Sequence, residues 1–77
     1  MKIRVLFFAG LREKTGQSER LLDLPEGSRV ADLKDKLALD EVTWRSFAFA
    51  VNQAYSPAAT TLTEGDEVAL IPPVAGG

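Results

Sequence analysis

Ile3, Val5 and Phe7 alternate along the chain with Lys2, Arg4 and Leu6, and side chains two apart share one face of a strand. A first strand is therefore expected over Lys2–Ala9. Its second face, Arg4, Leu6 and Phe8, is not cleanly polar. Gly10 ends the run, and Leu11–Thr15 suits a short helical turn stopped by Gly16. Ser18–Leu24 reads as a weaker second strand, closed by the turn signal Pro25-Glu26-Gly27. Val30, Leu33 and Leu37 then recur at helical spacing, with Ser28 placed as the N-cap. Asp40–Ser46 is ambiguous and fits a second short helix with Trp44 packed under a sheet. Phe47, Phe49 and Val51 alternate with Ala48 and Ala50 in a third strand, and Asn52 tolerates the left-handed backbone of a turn. Tyr55–Thr61 reads as loop, since Pro57 excludes a central strand. After the turn Thr63-Glu64-Gly65-Asp66, a last strand over Glu67–Ile71 turns Val68 and Leu70 the same way. Pro72-Pro73 must end it.

Strand, strand, helix, strand, strand is the order of an α+β fold of the β-grasp (ubiquitin-like) kind, a mixed sheet with a crossing helix. The first and last strands should lie side by side and parallel, joined through a right-handed crossover. The expected organisation is one domain over 1–72 and an extended Gly-Gly tail over 73–77.

Composition narrows the function. With 77 residues the chain supports a single domain. It contains no cysteine and no histidine, which removes thiolate chemistry, the commonest general base and the commonest metal ligands. That favours a binding or carrier role over stand-alone catalysis. The net charge is −2 and the basic residues form no dense stripe, so no nucleic acid is expected as a partner. No apolar run approaches the ~20 residues of a membrane-spanning helix, and the opening segment does not read as a signal peptide. A soluble, cytoplasmic protein is expected, with no membrane partner.

The tail carries the chemistry. Pro72-Pro73-Val74-Ala75-Gly76-Gly77 begins with two residues that hold the backbone extended, and its side chains taper to two glycines. Four or five such residues reach about 15 Å. A stiff base with a slender tip suits insertion into a narrow pocket of another protein, and glycine at the tip lets backbone approach closely. Pro73, Val74, Ala75 and Gly76 are the expected insertion residues.

Residues Gly65-Asp66-Glu67-Val68-Ala69-Leu70-Ile71-Pro72-Pro73-Val74-Ala75-Gly76-Gly77 resemble the C-terminal signature of the small, sulfur-carrying subunits of molybdopterin synthase. Val5-Leu6-Phe7-Phe8-Ala9 followed by Leu11-Arg12-Glu13 resembles that family's opening strand, and Val51-Asn52 its middle. The thiamine-pathway sulfur carriers share the fold and the Gly-Gly end but lack the Pro-Pro-Val element. The resemblance implies that a ubiquitin-activating-like adenylyltransferase uses ATP to adenylate Gly77. A sulfur donor protein then displaces AMP to leave a thiocarboxylate. It implies also that the tail enters the large synthase subunit and passes sulfur to a cyclic pyranopterin monophosphate, in a heterotetramer of two carriers and two large subunits. Gly77 is then a covalent carrier, with catalytic groups expected on the large subunit and no cofactor bound by this chain.

Phe7, Phe47 and Phe49 read as core by their strand spacing. Leu6 and Phe8, with Ile71 on the neighbouring strand, form an apolar patch on an open sheet face and so a partner interface, unless loops of the chain cover it. Arg12 is added to that interface partly on the resemblance. Glu64, Asp66 and Glu67 surround a turn and are expected to solvate it; no metal site is expected. Other functions remain open: a ubiquitin-like protein modifier joined to lysines through Gly77, a sulfur carrier of another pathway such as thiamine, and a non-covalent adaptor.

Overall fold

The computed structural model describes residues 1–7 and 16–73. Lys2–Phe7 forms strand β1 and Glu19–Asp23 forms β2, paired antiparallel with Ile3 opposite Leu22 and Leu6 opposite Glu19. Ahead of this ladder the Met1 ammonium donates to the Leu24 carbonyl at 2.7 Å, and the Leu24 N–H donates back to the Met1 carbonyl at 2.8 Å. β3 spans Ala48–Val51, β4 Ala54–Tyr55 and β5 Glu67–Ile71. The order across the sheet is β2-β1-β5-β3-β4. β1 and β5 are parallel neighbours, with Val5 beside Val68 and Phe7 beside Leu70. The fold is an α+β β-grasp with a mixed five-stranded sheet.

Alternation decides what is buried. Ile3, Val5 and Phe7 of β1, Leu22 of β2, Phe49 of β3 and Val68 and Leu70 of β5 enter one core. Val30, Leu33 and Trp44 cover it from the helical side, with Leu24 and Leu62. Trp44 lies on Phe49 with ring centroids 4.7 Å apart, and Phe47 packs partly buried against the same cluster. Phe7 and Phe49 are core residues and Phe47 lines the edge of the core.

The helical layer differs from the sequence expectation. In place of one helix there is a 3₁₀ turn over Val30–Asp32 and a single α turn, α1, over Leu33–Lys36. Ser28 is not the cap: its hydroxyl donates to the Pro25 carbonyl at 2.8 Å. Arg29 takes that position, and its N–H is satisfied by the Asp32 carboxylate at 2.8 Å. α1 ends early because Ala38 adopts φ 54°. The Leu39 N–H then reaches the Lys34 carbonyl and the Ala38 N–H that of Asp35, a Schellman closure without its usual glycine. The ambiguous Asp40–Ser46 segment is helix α2, Glu41–Arg45, capped by Asp40, whose carboxylate accepts from the Thr43 N–H at 2.6 Å.

β4 is the other correction, since Tyr55 lies in a strand and not in the expected loop. Asn52 and Gln53, both at positive φ (50° and 71°), make the two-residue hairpin loop that joins β3 to β4 with Val51 opposite Ala54. Among the described residues no helix is long and apolar enough to cross a membrane.

Candidate functional site

The face of the sheet away from the core holds Leu6 and Ile71, the two expected interface residues that can be described. Leu6 lies there on β1, half-buried, directly beside Ala69 of β5. Ile71, also half-buried, is two residues further along β5 on the same face and pairs with Ala48 of β3. Leu6 and Ile71 are thus brought together as expected. Phe8 and Arg12, and Val74, Ala75, Gly76 and Gly77 of the tail, lie outside the described residues.

Sequence reasoning missed Tyr55. Ala50 pairs with both Ala69 and Tyr55, so the row Tyr55, Ala50, Ala69, Leu6 crosses four strands on one face. Tyr55 is 79% exposed and, with Leu21 and Val42, is a large hydrophobic residue left uncovered among the described residues. The signal was available: with a two-residue turn at Asn52-Gln53, counting back places Tyr55 opposite Ala50.

This face has two halves. Towards the end of β5, where the chain passes to half-buried Pro72 and exposed Pro73, the residues are Leu6, Ala69, Ile71, Ala48, Ala50 and Tyr55. Towards the start of β5 the same face carries charge. Arg4 sits between Glu67 at 3.8 Å and Glu19 at 3.7 Å, and Lys2 pairs with Asp23 at 3.2 Å. The apolar half therefore adjoins the root of the tail. Exposed ion pairs add little stability.

The start of β5 is held by a hydrogen-bonded clip. The Asn52 side chain donates to Asp66 at 2.9 Å and accepts from the Glu67 N–H at 3.0 Å. Asp66 also accepts from the Thr63 N–H at 2.8 Å and hydroxyl at 3.2 Å. Partial burial works to raise the Asp66 pKa, but the bonds from the Thr63 backbone, Asn52 and the Thr63 hydroxyl together hold it below its ordinary 3.8. Glu64 instead accepts from the Lys2 N–H at 3.1 Å. The three acids of this turn thus have separate partners, and among the described residues no three ligand-type side chains gather as a metal site.

A β-grasp sheet with helices on one face, an apolar patch on the other and a central strand that leads into the tail defines a small ubiquitin-like domain. The chain belongs to the ThiS family, whose model matches residues 5–77. It is similar to the molybdopterin synthase sulfur carrier subunit of Chlamydomonas reinhardtii, 40% identical over 84 residues that cover all of both chains. Among solved structures it resembles SAMP1 of Haloferax volcanii, with a TM-score of 0.86, 26% identity and full coverage of both chains. It also resembles a chain in the complex of subunits 1 and 2 of the molybdopterin-converting factor of Helicobacter pylori, with a TM-score of 0.70, 25% identity and full coverage of both.

Proposed function

We propose that this chain is the sulfur carrier subunit of a molybdopterin synthase and acts in molybdenum cofactor biosynthesis. The observation that carries the reading is full-length similarity to such a subunit, on a fold whose last central strand runs into Pro72-Pro73 beside an apolar face. In this reading residues 1–72 are the domain and 73–77 the arm. The partner is the large synthase subunit, as in the two-subunit complex from Helicobacter pylori. It docks on Leu6, Phe8, Arg12 and Ile71, with Tyr55 added, while Pro73, Val74, Ala75 and Gly76 thread its pocket.

The chemistry is confined to the Gly77 carboxylate. Ionised at neutral pH, with an ordinary pKa of about 3.3–3.7, it resists nucleophiles until given a leaving group. Its oxygen attacks the α-phosphorus of ATP on an activating adenylyltransferase, and pyrophosphate leaves. A sulfide-equivalent nucleophile from a donor protein then forms the C–S bond and expels AMP. The thiocarboxylate sulfur bonds to a cyclic pyranopterin monophosphate inside the large subunit, water cleaves the acyl C–S bond to return Gly77 as a carboxylate, and two such transfers build a dithiolene. Acid and base groups come from the large subunit, because this chain has no histidine or cysteine. A cytoplasmic location accords with these ATP-dependent steps.

The test is reconstitution with the large subunit, activating enzyme, ATP and a sulfide source. Full-length protein should form dithiolene product, and a variant lacking Gly76-Gly77 should bind the large subunit yet form none. Equal product from the truncated chain would reject the carrier role. The resemblance to SAMP1, a small archaeal modifier protein, supports a second reading in which Gly77 is conjugated to protein lysines. That reading predicts adducts of higher mass in place of dithiolene product.

A further inference from the structure

The charged half of the open sheet face carries an imbalance that the apolar half does not explain. Arg4 projects from β1 between the two flanking strands, within 3.7 Å of Glu19 on β2 and 3.8 Å of Glu67 on β5. Neither distance is that of a tight charge-assisted hydrogen bond. Arg4 is 50% exposed, and the Glu67 side chain is 25% exposed. The neighbouring Lys2–Asp23 pair is neutral as a unit, so among the described residues one positive and two negative groups leave a surplus carboxylate. That surplus lies on the same face as Leu6 and Ala69, one step along β1 and β5 from Arg4 and Glu67.

Position decides what such a ladder does. Charges at the edge of an apolar contact contribute little to its strength, but they steer the encounter and fix its orientation. An apolar patch of Leu6, Ala69, Ile71 and Tyr55 has no direction of its own, and a partner could settle on it in several rotations. The ladder borders the patch on two sides, with Glu67 and Arg4 at the end away from the tail root and Glu19 on edge strand β2 opposite Leu6. Its charges thus flank the contact that aims Gly77 at a pocket.

We infer that the Glu19–Arg4–Glu67 ladder is the orienting element of the docking face, and that the large subunit meets it with a basic side chain drawn to the surplus carboxylate. This rests on the reading that the large subunit docks on this face. Partner and ladder then form an alternating array, in which Arg4 lies between Glu19 and Glu67 and the partner cation completes the charge balance. Arg4 itself opposes that cation.

Association rates of the full-length chain with the purified large subunit, measured against ionic strength by stopped flow, test the sign of this field. Glu19→Gln and Glu67→Gln should each slow association about threefold at low salt and flatten its salt dependence, as expected for loss of a steering charge. Arg4→Gln should speed it by a similar factor. Melting curves for all three should stay close to the parent, because the exposed pairs hold little stability. Faster association of the glutamate variants, slower association of Arg4→Gln, or rates that ignore all three would overturn the inference while leaving the docking reading intact. If the unaltered chain fails to bind the large subunit, the docking reading itself falls and the inference with it.

Discussion

The two faces of this sheet are built from similar residues and meet different fates. On one, Ile3, Val5, Val68 and Leu70 lie under Val30, Leu33 and Trp44 with no exposure left. On the other, Leu6, Ala69 and Ile71 come from the same two central strands and are only half-buried, although β1 and β5 are flanked on both sides. Burial on the first face was completed by the chain itself, through the 3₁₀ turn and two short helices. The second face has similar chemistry, and among the described residues no helix lies over it. The difference teaches that apolar content alone does not separate stability from recognition; the layer above it does.

The largest expected effect lies on the covered face. Leu70→Ala should destabilise the domain by about 2–5 kcal/mol, the range for a fully buried leucine, measured by urea or thermal unfolding. A loss well under that range would mean the covered face is not the principal source of stability. One residue along, Ile71→Asp should reverse the pattern. Binding of the large subunit should weaken by about 2 kcal/mol or more, as for a central interface anchor, while stability falls less than for Leu70→Ala. If Ile71→Asp unfolds the protein, the two faces are not distinct in role.

A smaller effect tests the clip that fixes the start of β5, the strand both faces share. Asp66 has a folded pKa below its ordinary 3.8, so its contribution is full above 3.8 and is lost as pH falls through the lowered folded value. Asp66→Asn should therefore be less stable than the parent at neutral pH, and the gap should close below pH 3.8. A gap that persists in acid would show that the bonds do not depend on the carboxylate charge. The smallest effect belongs to the covering layer. Ala38 holds a left-handed φ of 54°, costly for any residue with a Cβ, so Ala38→Gly should stabilise by a few tenths to about 1 kcal/mol after the extra freedom of the unfolded chain is offset. Destabilisation would mean that the alanine methyl contributes packing there.

Most of the covered face could be read directly from the chain. Alternation placed Ile3, Val5, Phe7, Val68 and Leu70 inward, and the parallel pairing of β1 with β5 followed from element order. Two local features were hidden. Leu37 has helical spacing, yet the helix stops before it because Ala38 turns left-handed, and alanine carries no sequence signal for that conformation. Ser28 has the chemistry of a cap but spends its hydroxyl on Pro25, leaving Arg29 to be served by Asp32. β4 was lost because two residues are too few to show a period, and with it went Tyr55. Of the site, Leu6 and Ile71 were legible by parity. The Glu19–Arg4–Glu67 ladder was not, since it joins three strands whose register no single segment encodes.

The central claim is that Gly77 carries sulfur, and intact-mass spectrometry of this chain tests it most directly. The protein is incubated with its activating adenylyltransferase, ATP and a sulfide source, beside a variant extended by one residue past Gly77. One species is expected, heavier by the replacement of a single oxygen by sulfur, with the fragment that holds Gly77 carrying the change. The extended variant should stay unmodified at an unchanged melting temperature. An unmodified parent chain, or sulfur loaded equally well onto the extended variant, would contradict it.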